Sequence, residues 1–79
     1  MEKMRYSKES LSTIIRVNVK KYRIISGITQ QELADRCELT HGYIRDLESL
    51  KVYKTPTVDT LARLCNALNI DIRMLFDDI

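Results

Sequence analysis

Thr29-Gln-Gln-Glu-Leu-Ala-Asp-Arg-Cys-Glu-Leu-Thr-His-Gly-Tyr-Ile-Arg-Asp-Leu-Glu48 reads as two short helices joined by a tight turn. Thr29 and Glu32 have the spacing of a capping box, in which each side chain satisfies a free backbone N–H of the other. Leu33, Ala34 and Cys37 then give the first helix one apolar face. Thr40 caps the second, with Leu39 reaching Ile44 across the helix start as a hydrophobic staple. At 100° per residue from His41, the residues Tyr43, Leu47, Ile44 and Glu48 fall between about 200° and 340°. His41, Arg45, Ser49, Gly42 and Asp46 fall on the other side and include no apolar side chain. This helix therefore buries one arc and exposes another, as any surface helix would. Glu48 is the exception, because a carboxylate on the inner arc is costly unless it is paired. Arg23 is the nearest basic candidate.

Outward from this stretch the periodicity stays helical. From Lys8 to Ser26, Leu11, Ile14, Ile15, Val19, Tyr22 and Ile25 share one face, with Arg16, Lys20 and Arg23 on another. Gly27 suits the left-handed residue that closes such a helix. Val17 and Ile24 form a third face, to be covered by the C-terminal helix or by a second copy. Residues 50–56 form a loop, since Pro56 holds Thr55 extended. Thr57 caps a fourth helix with apolar Val58, Leu61, Ala62, Leu64, Cys65 and Leu68. A short last helix starts at Asp71, with Ile70 stapled to Leu75 and with Ile72 and Phe76 apolar. No strand pattern, repeat or low-complexity segment interrupts the series. The expected fold is all-α, with five helices in a single domain over residues 1–79, of which 1–10 are an arm and the start of helix one.

Seventy-nine residues, 44% hydrophobic and 30% charged, suit one small globular fold. No apolar run approaches the ~20 residues of a bilayer span, and the N-terminus lacks a signal-peptide core. A cytoplasmic location without membrane contact is expected. Cys37 and Cys65 each lie in an apolar stripe and read as small buried hydrophobes. With only His41 beside them, they give no zinc site. A single His with no nucleophile on a shared face, and no phosphate-cradling glycine loop, gives no catalytic constellation. No enzyme activity, cofactor, metal or small-molecule effector is expected. The net charge of +2 says little, but residues 1–26 hold seven Lys/Arg against two Glu. Basic charge gathered on one side suits a phosphate-tracking surface, although a solvated helix face would look alike.

Three segments in order resemble the Cro and phage-repressor (XRE-like) type of helix-turn-helix. They are Gly27-Ile-Thr-Gln-Gln-Glu-Leu-Ala, Leu39-Thr-His-Gly-Tyr-Ile-Arg-Asp-Leu-Glu48 and Pro56-Thr-Val-Asp-Thr-Leu-Ala-Arg-Leu-Cys-Asn-Ala-Leu68. The resemblance spans roughly residues 11–76. It implies a five-helix, lambda-repressor-like DNA-binding domain, with the helix-turn-helix at helices two and three and helix three in the major groove. It also implies an ion pair between Arg23 and Glu48, in agreement with the wheel.

By position, the resemblance turns Thr40, His41, Gly42, Arg45 and Asp46 toward base edges. Thr40 would offer a methyl to thymine, and Arg45 a fork to guanine. Asp46 would accept from a cytosine amine or orient Arg45. Gly42 offers no side chain where the family often has a polar one. Gln30 matches a phosphate-contacting position. Tyr43, Ser49, Lys51, Tyr53 and Lys54 are further backbone-contact candidates, with half-buried packing the alternative for Tyr43. Double-stranded DNA would be bound by a homodimer on inverted half-sites. Ile72, Leu75, Phe76 and Ile79 would form its interface or else cap the monomer core. The pattern loosens at Leu50, where the family usually has glycine, and in the longer loop that follows. A sequence-specific regulator of the phage-repressor or restriction-modification-controller type is the first reading. A protein-interaction module, such as an antitoxin or anti-repressor, is the second.

Overall fold

A computed structural model describes residues 5–77. Four α-helices follow in order: α1 (Lys8–Ile25), α2 (Gln30–Cys37), α3 (His41–Ser49) and α4 (Val58–Leu68). The fifth element is a single 3-10 turn, Ile72–Phe76, and not the α-helix expected there. Its shortness explains the difference: five residues cannot offset the cost of nucleating an α-helix. Asp71 caps it by accepting from the Arg73 N–H, and Asp77 returns to extended backbone.

The helix starts are set by local chemistry. Thr29, Thr40 and Thr57 each sit in extended backbone and accept from the N–H three residues on. Thr29 and Glu32 form the reciprocal capping box, and Ser7 with Ser10 makes a second one at α1. The ends are less orthodox. Gly27 closes α1 at φ +73° as expected, but Glu38, Leu50 and Asn69 also take left-handed backbone, at 57°, 60° and 54°. Helix α3 thus turns at Leu50 as it would at glycine. A leucine there carries roughly 1–2 kcal/mol of backbone strain.

Val19, Leu33, Ile44, Leu47, Leu64 and Leu75 are fully buried and form the centre of one core. Truncating any of the leucines or Ile44 to alanine would cost about 2–5 kcal/mol. Leu75 therefore belongs to this core and is not available to a dimer interface. Helix α1 also departs from expectation. Ile15 and Val19 are buried, but Ile25 is 67% exposed, whereas Ser12, Arg16 and Asn18 are buried. On the wheel Ser12, Arg16 and Arg23 flank the apolar stripe on one side, and Asn18 and Tyr22 on the other. The first flank holds the far end of α3, and the second holds the chain's C-terminal turn. Asn18 Nδ2 donates to the carbonyls of Leu75 and Asp77, both at 2.9 Å. The Tyr22 hydroxyl donates to the Asp77 carboxylate at 2.5 Å, which raises the phenol's pKa. Arg16, read from sequence as part of the basic face of α1, is thus drawn inside, beside Arg23, which was expected to pair with Glu48.

Candidate nucleic-acid interface

Helix α3 is held on its inner arc by Ile44, Leu47 and Glu48, all buried. Arg23 Nε meets Glu48 Oε2 at 2.7 Å, and Arg23 Nη2 meets Glu48 Oε1 at 2.9 Å. The pair is bidentate, and the Glu48 hydrogen bonds push the arginine's pKa up further. Arg23 Nη1 also donates to the Ile28 carbonyl at 2.8 Å, which ties the turn before α2 to the same strut.

The network continues outward. Gln30 Nε2 donates to Glu48 Oε1 at 3.1 Å, which leaves Gln30 Oε1 to face His41 Nε2 at 3.3 Å. A carboxylate only accepts, so Glu48 fixes the amide orientation of Gln30. Gln30 Oε1 in turn only accepts, so His41 carries a proton on Nε2 in this arrangement. Gln30 stands at the first turn of α2 with its side chain already engaged between Glu48 and His41.

The outer arc has few internal ties. Arg45 keeps 65% of its side chain exposed, and its one ionic neighbour among the described residues is Asp46 at 3.6 Å. Such a contact orients the guanidinium without occupying its fork. A Cβ at Gly42 would meet nothing nearer than Arg45 Nη2 at 3.4 Å, so packing does not demand glycine there. Thr40 Oγ1 is spent as the helix cap, accepting from Tyr43 N–H at 3.0 Å. Tyr43 is half-buried, and burial pushes its pKa up. Lys54 Nζ stands 4.4 Å from the centre of the Tyr43 ring. Ser49, Lys51 and Tyr53 are exposed around the end of the helix and the loop.

Of the other sequence-derived sites, Ile72 and Phe76 are partly exposed. They line an apolar groove of about 420 Å³ with Val58, Leu61, Ala62 and Cys65. Ile79 lies outside the described residues. Cys37 and Cys65 are free, buried thiols whose pKa burial raises, in keeping with a packing role. Among the described residues no cluster of His, Cys, Asp or Glu could hold a metal ion, and no helix is long and apolar enough to cross a membrane. Sequence reasoning missed Ser12 and Arg16. Their signal was a polar stripe at the edge of an apolar face, which reads equally as a solvated flank.

The family profile described as helix-turn-helix matches residues 19–75, most of the chain, including all of α2, α3 and α4. The chain belongs to the helix-turn-helix family. It is a DNA-binding transcription regulator of the XRE type. Among solved structures, the clp gene regulator ClgR from C. glutamicum is 26% identical, with 82% of each chain covered and a TM-score of 0.74. A hypothetical transcription factor, NHTF from Neisseria, shares the fold at a TM-score of 0.75. It is 19% identical, and the match covers 98% of this chain and 86% of that one. No curated protein sequence matches.

Proposed function

We propose that this helix-turn-helix protein is a sequence-specific regulator that binds operator half-sites of double-stranded DNA as a homodimer, in the manner of a phage repressor or restriction-modification controller. The observation that carries this reading is the outer arc of α3. Arg45 keeps most of its side chain exposed and is steered by Asp46, beside a helix N-terminus with no acidic residue in its first turn. An Arg fork of this kind fits guanine O6 and N7 in the major groove. The uncompensated N-terminus of α3 favours an approaching phosphate.

Thr40, His41, Gly42, Arg45 and Asp46 read bases. Thr40 does so through its methyl, since its hydroxyl caps the helix. With His41 Nε2 turned to Gln30, Nδ1 is the ring nitrogen left for a base edge. Gln30, Tyr43, Ser49, Lys51, Tyr53 and Lys54 contact the sugar-phosphate backbone. The homodimer forms across the groove at Ile72 and Phe76, because a half-site alone offers too few base pairs for selective binding.

That apolar groove also favours a second reading, in which the protein serves mainly to bind another protein, as an antitoxin or anti-repressor does. Titration against duplex DNA at two salt concentrations separates the two. The regulator reading expects binding that weakens steeply with salt and falls with Arg45→Ala. Salt-insensitive binding, or an Arg45→Ala variant equal to wild type, would favour the second.

A further inference from the structure

Three of the four α-helices close in the same way. Beyond the left-handed residue, a backbone N–H reaches back five positions: Ile28 to the Arg23 carbonyl (3.3 Å), Leu39 to Ala34 (2.9 Å) and Ile70 to Cys65 (3.0 Å). At α3 the same pattern would join Lys51 N–H to the Asp46 carbonyl. Instead, Lys51 N–H turns to Ser49 Oγ at 3.3 Å. The Asp46 carbonyl accepts from Arg16 Nη2 at 2.9 Å.

Arg16 does more than replace one bond. Its Nε donates to the Leu47 carbonyl at 2.7 Å, and Nη2 also reaches the Val52 carbonyl at 2.6 Å. One turn earlier on α1, Ser12 Oγ donates to the Lys54 carbonyl at 2.8 Å. Arg16 is 4% exposed and Ser12 3%. Among the described residues the guanidinium makes no ion pair with a carboxylate, and its charge is met by the negative end of α3. A buried arginine is a costly way to fill space, whereas its planar fork suits holding three carbonyls at fixed angles. The carbonyls of residues 52 and 54 are thereby turned to α1, while Lys51 and Tyr53 remain exposed and Lys54 is laid against Tyr43 on α3.

We infer that Arg16, with Ser12, is a positioning residue for DNA binding. It sets loop 50–57 in register with α3, so that Lys51 and Lys54 contact phosphates beside the bases that α3 reads. This inference rests on the DNA-binding reading.

The test uses the full chain and a duplex selected by it from a random pool, with binding followed over a range of salt. Lys51→Ala/Lys54→Ala is measured in wild type, in Arg16→Met and in Ser12→Ala. In wild type the double lysine change should lower the slope of log affinity against log salt by about two per bound subunit. In Arg16→Met the slope should already be reduced, and removing the lysines should then change affinity by less than about twofold, the usual limit of additivity. Arg16→Lys should not restore the slope, because an ammonium lacks the fork. Ser12→Ala removes one bond only, and should shift the slope in the same direction by less. It carries the test if Arg16→Met does not fold.

A merely structural Arg16 would lower the melting temperature while leaving the wild-type slope, and the full cost of removing the lysines, in the molecules that remain folded. That result would overturn the inference. So would a wild type that binds DNA with no loss on removing Lys51 and Lys54, which leaves the DNA-binding reading intact. A wild type that binds no duplex removes both.

Discussion

Helices α2 and α3 are neighbours of nearly equal length, yet they are secured by different means. Helix α2 is closed mainly by its own residues, with one bond from outside, Arg63 Nη1 of α4 to the Cys37 carbonyl at 3.1 Å. Its capping box pairs Thr29 with Glu32, and the N–H of Glu38 returns to its own last turn. Helix α3 has a single cap, Thr40, with no acid in its first turn. Its C-terminal carbonyls are met by Arg16 from α1. What α2 takes mostly from local sequence, α3 takes at its C-terminal end from tertiary structure. The difference suits their tasks. In the proposed role, a helix whose first turn enters the negatively charged major groove is better without a carboxylate at that end. A helix that must lie at a set angle is better fixed from outside. Arg23 and Arg16, both on α1, provide that fixing, one through Glu48 and the other through the last carbonyls of α3.

The largest effect expected from breaking this contrast is at Glu48. Glu48→Ala strands Arg23 and frees Gln30, and should cost about 3–5 kcal/mol in urea unfolding. Glu32→Ala on exposed α2 should cost far less. A Glu48→Ala variant as stable as Glu32→Ala would mean that α3 is not held as described.

The caps come next. Thr29→Ala and Thr40→Ala should each lose about 1 kcal/mol. Thr29→Ala should leave DNA affinity nearly unchanged once the protein is folded, whereas Thr40→Ala should weaken it.

Leu50→Gly works in the opposite direction. It relieves left-handed strain and should raise stability by up to about 1 kcal/mol, as should Glu38→Gly. Equal or lower stability at both positions would contradict the strain assigned to them.

The smallest effect is electrostatic. The Thr29 backbone N–H, then its hydroxyl, hold the Glu32 carboxyl below its ordinary pKa. Its contribution is therefore present above the unfolded value of about 4.3 and is lost as pH falls through the lower folded value. The melting-temperature gap between wild type and Glu32→Gln should close over that acid range. A gap that widens in acid would show the sign to be wrong.

The contrast also explains what could be read from sequence. Thr29, Thr40, Thr57 and Gly27 were legible because each acts on backbone within a few residues. The inner arc of α3 was legible because Ile44 and Leu47 repeat at helical spacing, and because Glu48 among them demanded a partner. Arg16 and Asn18 were not legible. A polar residue beside an apolar stripe looks solvated until the partner carbonyls, 30 or more residues away, are in place. Leu50 was legible only as a departure from the family's glycine, because leucine disfavours the left-handed backbone it takes here. Five residues after Asp71 carry apolar spacing but too little length to choose between an α and a 3-10 turn.

The most direct test of the central claim is selection of binding sites from random duplexes, followed by competition titration of wild type and Arg45→Ala on the selected site. If α3 reads bases as described, selection should yield an inverted repeat with half-sites about one helical turn apart. Arg45→Ala should relax the preference at one guanine per half-site by about 1–3 kcal/mol while leaving the other positions selective. Recovery of no preferred sequence, or a selected site that Arg45→Ala binds with unchanged preference, would contradict it.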